Sequence, residues 1–312
     1  MKPDETIYLD YAATTPVAPQ VVAAMLPYLT NAFGNPSSMH VFGREAKIAV
    51  EEARGTIASF LNVKSSEVIF TSGGSESNVL AIKGMLQKEK NGHLVLSAVD
   101  HTSSLDAAKQ LEKQGYAVTL VHPTSKGEIS INAIEDTITD STKLVSVMAG
   151  NNEIGTINDV EAIASLCKSR DVTFHTDAAQ AAGHISLDAS KFDMTSLTGH
   201  KLYAPKGVGV LVVRENVTLH PMIQGGQAER GLRGGTLNVA SIVGLGKAVA
   251  LCQTKYSHSI ATVRDSCEAL LRDQIPAIVI NGKNEARLPH ILSVQFPHLG
   301  PNFSPSMIHG VA

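Results

Sequence analysis

The chain has 312 residues, 43% of them apolar and 18% charged, with a formal net charge of −3. These values fit a soluble globular protein of one large domain or two, and the charge gives no reason to expect nucleic acid or an anionic membrane surface as partner. Met1 to Asp10 lacks a basic stretch followed by an apolar one, and no run approaches the length of a membrane span, so a cytoplasmic location is expected. The three cysteines, Cys167, Cys252 and Cys267, are far apart and odd in number. They show neither metal-ligand spacing nor a disulfide framework, and all three are expected as buried or semi-buried thiols on helices.

Taken in order, the pattern alternates strand-like and helix-like runs, which predicts an α/β fold with a mainly parallel sheet covered by helices. Ile7–Leu9 is a short predicted strand, followed by the loop Asp10–Pro16 and a helix over Pro19–Leu29. A loop from Phe33 to His40 precedes Arg44–Leu61, where Ala46, Ala49, Val50, Ala53, Ile57 and Phe60 fall on one helix face. Val68–Phe70 is a strand leading into a helix over Ser75–Gln87. Further strands are predicted over Leu94–Val99, Ala117–Val121, Leu144–Met148, Val172–Thr176 and Val210–Val213, with helices over Ser104–Gln114 and Val160–Ser169. A long helix-like stretch, Ile242–Leu271, carries the chain toward a second lobe with strands over Ile278–Ile280 and Ile291–Phe296. The expected division is a large domain over 15–250 and a smaller, incomplete α/β domain from 1–14 and 251–312.

Five stretches could carry chemistry, and each has an ordinary alternative. Thr71–Ser77 places a Gly-Gly turn between a strand and a helix start, which makes either an anion cradle or a plain turn with a serine N-cap. Neither G-x-x-x-x-G-K-[ST] nor G-x-G-x-x-G occurs there, which counts against a nucleotide loop. Asp177, at a strand end with Gln180 three residues on, is either the partner of a protonated ring nitrogen or a helix N-cap. His101 follows a strand in the same way and is either a stacking, proton-shuttling imidazole or an ordinary loop histidine. Asn151 and Asn152 are either ligand donors or an Asx-turn. Lys201 lies on a loop between two strand-like runs, where burial would free its amine to form a Schiff base with an aldehyde; the alternative is a solvated lysine. A further loop, Glu229–Thr236, holds two arginines that suit an anion clamp, a subunit contact or a solvated basic surface. Together these groups meet the needs of pyridoxal phosphate: a cradle for its phosphate, a carboxylate for its ring nitrogen and a lysine for its aldehyde.

In the stretches Tyr8–Pro16, Gly34–Ser38, Phe70–Asn78, Asn151–Gly155, Ser196–Lys201 and Arg230–Thr236, the sequence resembles the cysteine desulfurases of the NifS/IscS type. These belong to the class V aminotransferase group of fold-type I pyridoxal-phosphate enzymes, and the resemblance spans nearly the whole chain. It implies a seven-stranded-type sheet and the conversion of L-cysteine to L-alanine with sulfur transfer for iron–sulfur cluster or thio-cofactor assembly. It implies Lys201 as the cofactor-bearing lysine, Asp177 at the pyridinium nitrogen, and Gln180 and Asn152 at the phenolic oxygen or substrate. His101 is implied on the ring, aiding proton transfer, and Gly74, Ser75, Thr198 and His200 at the phosphate. Thr236 is implied at the phosphate of a neighbouring subunit, hence a homodimer, and a sulfur-acceptor or iron–sulfur scaffold protein is an implied partner.

One departure accompanies the match. The family carries a catalytic cysteine on a mobile C-terminal loop and, beyond it, an arginine for the substrate carboxylate. In this chain Pro297–Ala312 contains neither residue type, and none of the three cysteines matches that loop. The expectation is a member that keeps the cofactor site and lacks the sulfur-accepting loop. The alternatives are a chain completed by another polypeptide, or a catalytically degenerate scaffold that binds cofactor or partner.

Overall fold

A computed structural model describes residues 7–300 apart from 90, 253–256, 276 and 284. The chain runs α1 (Pro19–Thr30), α2 (Val41–Leu61), β1 (Val68–Thr71), α3 (Gly74–Leu86), β2 (His93–Ser97), α4 (Thr102–Lys113) and β3 (Ala117–Val121). It continues through α5 (Ile131–Glu135), β4 (Thr142–Ser146), α6 (Val160–Ser169), β5 (Thr173–Asp177), β6 (Met194–Thr198) and β7 (Gly209–Val213). Last come α7 (Val239–Cys252), α8 (Ser257–Gln274), β8 (Val279–Ile280) and β9 (Val294–Gln295).

Seven strands form one sheet in the order β1-β7-β6-β5-β4-β2-β3. β7 is antiparallel to both its neighbours, and the other pairings are parallel. The order reverses between β2 and β4, so a crevice opens at the carboxyl ends of those strands, where open α/β sheets take their ligands. Strands β1, β2, β6 and β7 are buried along their whole length, as expected of strands covered by helices on both faces. Edge strand β3 is largely uncovered.

Helices α1, α2 and α7 pack together over one side of β1, β6 and β7 through Val21, Val50, Ile57, Phe70, Val210 and Leu245. The close fit of α7 depends on its small residues: a Cβ on Gly246 would stand 2.8 Å from that of Ala53 in α2. Helices α3 and α4 cover the other face through Leu80, Ile82, Leu96 and Leu111. Leu288 and Ile291, from the C-terminal part of the chain, join Val147, Ile163 and Phe174 in a third cluster.

The α/β alternation and the seven-stranded sheet follow the sequence-based expectation, with four corrections. Ile7 makes only an isolated bridge, and Tyr8 and Leu9 are not in a strand. The expected helix over Ile242–Leu271 is two helices, α7 and α8, with 253–256 outside the described residues. The strand expected over Ile291–Phe296 shrinks to Val294–Gln295, because its one partner, β8, is two residues long. Cys267 is exposed on α8 rather than buried, whereas Cys167 is buried and Cys252 half-buried. Residues 301–312 of the tail also lie outside the described residues.

Candidate active site

A cavity of about 430 Å³ lies at the carboxyl ends of the strands. It brings together Gly74, Ser75, His101, Asn152, Asp177, Gln180, Thr198, His200 and Lys201, nine residues singled out in the sequence. Thr236 is not among its walls. It is exposed and borders a separate small cavity with Thr71, Ser72 and Arg233.

The cradle forms where β1 gives way to α3. Gly73 adopts φ 154° and ψ −179°, a conformation open to glycine, and there the chain turns so that the first N–H groups of α3 face the cavity. The fit extends to the sheet: a Cβ on Gly209 of β7 would stand 2.6 Å from the Cα of Gly73. Thr198, the buried last residue of β6, faces Gly74, whose added Cβ would meet it at 3.4 Å. Glu76 accepts from the Ser72 amide at 2.8 Å and from Arg233 Nε at 3.1 Å, which ties the cradle to the loop before Thr236. That loop is anchored beneath by a buried pair, Glu229 with Arg54, and Glu229 also accepts the Phe70 amide at 2.6 Å. Its arginines are therefore engaged within the chain: Arg233 with Glu76, and Arg230 with the carbonyls of Ser66 and Val213.

Asp177 ends β5 and is buried. One carboxylate oxygen accepts the Ala179 amide at 2.8 Å and the other accepts Asn78 Nδ2 at 2.6 Å. Asn78 also donates to Ser103 Oγ at 3.0 Å, and that hydroxyl lies 2.7 Å from His101 Nδ1. His101 N-caps α4 by accepting the Ser103 amide at Nδ1, 3.1 Å away. A ring nitrogen that accepts carries no proton, so the imidazole is held as the Nε2–H tautomer. Asn78, which lines the cavity, was not recognised in the sequence as a site residue, nor was Asp100, which lies outside the lining and accepts the His101 amide. Asn78 stands one helical turn after Gly74, on the same face of α3, and that spacing was the available signal. Asp100 is buried directly before His101, and burial, helped by the charge of Asp177, holds its carboxyl well above the usual range.

Asn151 and Asn152 divide the two readings between them. Asn151 Oδ1 accepts the amides of Glu153 and Ile154, an Asx-turn, while Asn152 lines the cavity. Lys201 ends a single 3₁₀ turn after β6. Its Nζ donates to the carbonyls of Ala12 and of Ala13, the latter at 2.9 Å. Burial pushes its pKa down, and Asp10 and Asp177 partly oppose that shift. Burial, with Lys201 and Lys206 nearby, also lowers the pKa of His200, whose Nδ1 lies 3.1 Å from Thr14 Oγ1. The 10–16 segment is fastened to this turn by Thr15, whose amide and hydroxyl both donate to the His200 carbonyl at 2.9 Å. Gln180 donates from Nε2 to the Ala12 carbonyl at 2.9 Å. Among the described residues, no three His, Cys, Asp or Glu groups are placed to hold a metal ion.

The residues fit pyridoxal phosphate. A half-buried amine with a depressed pKa, a buried carboxylate at a strand end and a helix N-terminus opened by glycine all face one cavity of suitable size. A mostly parallel α/β sheet with this site at its strand ends defines a class of pyridoxal-phosphate enzyme. The Aminotransferase class-V family matches residues 7–304. A mitosomal cysteine desulfurase of Trachipleistophora hominis is 43% identical over 94% of this chain and 70% of its own length. A cysteine desulfurase IscS of Dictyoglomus turgidum is 40% identical over 94% of this chain and 76% of its own. A solved structure of SspA in complex with cysteine superposes with a TM-score of 0.85 at 40% identity, over 90% of this chain and 81% of that one. The chain thus belongs to the class-V aminotransferase family and, within it, to the pyridoxal-phosphate-dependent cysteine desulfurases of the NifS/IscS type.

Proposed function

We propose that this chain supplies the cofactor site of a cysteine desulfurase: the C–S bond of L-cysteine breaks to leave L-alanine, and the sulfur departs as a persulfide on a thiol that the residues lining the cavity do not include, toward iron–sulfur cluster or thio-cofactor assembly. The observation that carries the reading is the convergence of Lys201, Asp177 and the N-terminus of α3 on one cavity. Pyridoxal phosphate, when bound, supplies an aldehyde for an amine and a ring that draws electrons from the substrate. Gly74, Ser75, Thr198 and His200 would hold its phosphate, and Asp177 its ring nitrogen. Gln180 and Asn152 would meet its phenolic oxygen or the substrate, and His101 would lie against its ring. Lys201, with its lowered pKa, supplies the amine and then a proton carrier at Nζ. His101, with Nε2–H free of the Ser103 contact, is placed to hand over a second proton.

In this reading the chain is a cytoplasmic homodimer in which Thr236 reaches the neighbouring site. Its exposure, together with that of Val22, Leu26, Leu29, Phe33 and Phe42, supports that arrangement. The large domain covers 15–250 and the smaller one is assigned 1–14 and 251–312, of which 1–6, 253–256, 276, 284 and 301–312 lie outside the described residues. Among the described residues no helix is long and apolar enough to cross a membrane.

A second reading, a scaffold that binds cofactor or a partner without turnover, is favoured by one observation. None of the three cysteines lines the cavity. Cys167 is buried with its thiol pushed up to about 12, and burial also raises Cys252. The deciding experiment is the visible absorption spectrum of the chain with pyridoxal phosphate, before and after L-cysteine, in wild type and Lys201→Ala. A lysine-dependent band that moves with cysteine supports the enzyme. A folded wild type without such a band sinks it and leaves the scaffold.

A further inference from the structure

Behind Gln180, two imidazoles that this chemistry does not use lie face to face. His184 and His290 stack with ring centres 3.7 Å apart and planes 25° from parallel. His184 follows β5, and His290 sits between Leu288 and Ile291, which anchor its segment in the core. The tautomer of His290 follows from its partner. Gln180 turns its NH₂ end to the Ala12 carbonyl, which only accepts. Its oxygen therefore points the other way, to His290 Nε2 at 3.0 Å. An amide oxygen also only accepts, so Nε2 of His290 carries the proton.

The other nitrogen, Nδ1 of His290, is a bare lone pair, buried and without a partner among the described residues. Nδ1 of His184 is likewise buried and without a partner among the described residues, and its ring lies close to the backbone of Lys201. Both rings are neutral. Burial lowers His184 to about 4. Burial, with His184, Lys201 and Arg264 nearby, lowers His290 to about 3.

The contacts close a ring. His184 lies close to the Lys201 backbone, Lys201 Nζ and Gln180 Nε2 share the Ala12 carbonyl, Gln180 Oε1 accepts from His290, and His290 stacks on His184. One arm is temporary, since the Lys201 amine leaves Ala12 whenever it reacts. We propose that His290, backed by His184, is a positioning residue that fixes the Gln180 amide so that the site presents an N–H, and not a carbonyl, to an anionic ligand oxygen. An NH₂ group has two hydrogens; Ala12 takes one, and the second is left for the cavity. The proposal rests on the reading that Gln180 meets the cofactor's phenolic oxygen or the substrate.

The test uses ¹⁵N magnetic resonance of the chain without cofactor, then cofactor release from the loaded protein. Wild type should show His290 protonated at Nε2. His290→Leu should speed solvent exchange of the Gln180 side-chain amide, and dissociation of pyridoxal phosphate, each about fivefold, the worth of one hydrogen bond. His290→Gln, which returns an N–H donor at the same reach, should restore both. An Nδ1–H tautomer in wild type, or a His290→Leu protein equal to wild type in both measurements, overturns the proposal. If His290→Leu does not fold, a His290→Gln protein unlike wild type in Gln180 exchange overturns it as well. A wild type that takes up no pyridoxal phosphate would sink the desulfurase reading, while the tautomer and amide exchange would still decide the role of His290.

Discussion

On the sheet side of the cavity, side chains hold side chains: Asp177 is gripped by Asn78, Asn78 reaches Ser103, and Ser103 meets His101. On the opposite side the 12–15 segment offers mainly backbone. The Ala12 carbonyl serves Gln180 and Lys201, the Ala13 carbonyl serves Lys201, and the Thr15 amide docks on His200. The first wall is set by residue identity and the second by where the chain passes. Substitutions in the two walls should therefore fail differently, through lost chemistry in one and through loosened geometry in the other.

Lys201 bonds the backbone wall and feels the charge of Asp177 in the other, and its loss should have the largest effect. Lys201→Ala should abolish the visible imine band and cut turnover of L-cysteine by at least about 10²–10⁴, the range assigned to a positioned proton-transfer group. Next, Asp177→Asn should turn an NH₂ toward the Asn78 NH₂. We expect a stability loss of about 1–3 kcal/mol by urea titration, with a large fall in turnover from the missing charge. An unchanged urea midpoint would break the idea that this wall is held side chain to side chain.

The buried imidazoles give a pH signature. His175 is fully enclosed between Ser146 Oγ at 2.8 Å and Ser196 Oγ at 2.9 Å, and burial lowers it to about 3. The unfolded chain protonates it near pH 6.5, so unfolding takes up a proton anywhere between those values. Its contribution is whole above about pH 6.5 and drains away as pH falls toward about 3, by on the order of 1.4 kcal/mol per pH unit. His184 and His290 act in the same direction. Urea midpoints measured from pH 8 to pH 5 should decline, and His175→Gln should flatten the slope. The smallest expected effect lies on the backbone wall. Thr15→Val keeps the shape but loses the hydroxyl that donates to the His200 carbonyl and accepts the Tyr203 amide. It should cost roughly 1–2 kcal/mol and raise KM more than it lowers kcat.

The same contrast explains what the sequence disclosed. Asp177, His101 and Lys201 stand at the ends of strands whose apolar runs are plain in the sequence, so their convergence was legible. Asn78 was legible only as a helical position, and its service to Asp177 needed the register of two distant elements. His290 was illegible, because its neighbours His184 and Gln180 are reached only through the passage of 286–291 beside the 150–158 loop, where Leu288 N–H meets the Gly155 carbonyl at 2.7 Å. Cys267 was misplaced because a helical cysteine does not reveal which face of its helix is covered. The isolated bridge at Ile7 has the same origin, since a short apolar triplet acquires strand pairing only from a partner.

The antiparallel strand β7 separates β1 from β6 by its own width, yet it is also what joins them. The chain leaves Lys201, turns, and re-enters the sheet along β7 with Gly209 paired to Thr71 on one side and to Thr198 on the other. The lysine turn and the anion cradle, remote in sequence, are thus two ends of a single hydrogen-bonded ladder. Opening that ladder would dismantle both at once, so the slow amide exchange of residues 209–213 should report the integrity of the entire catalytic cleft as one cooperative unit.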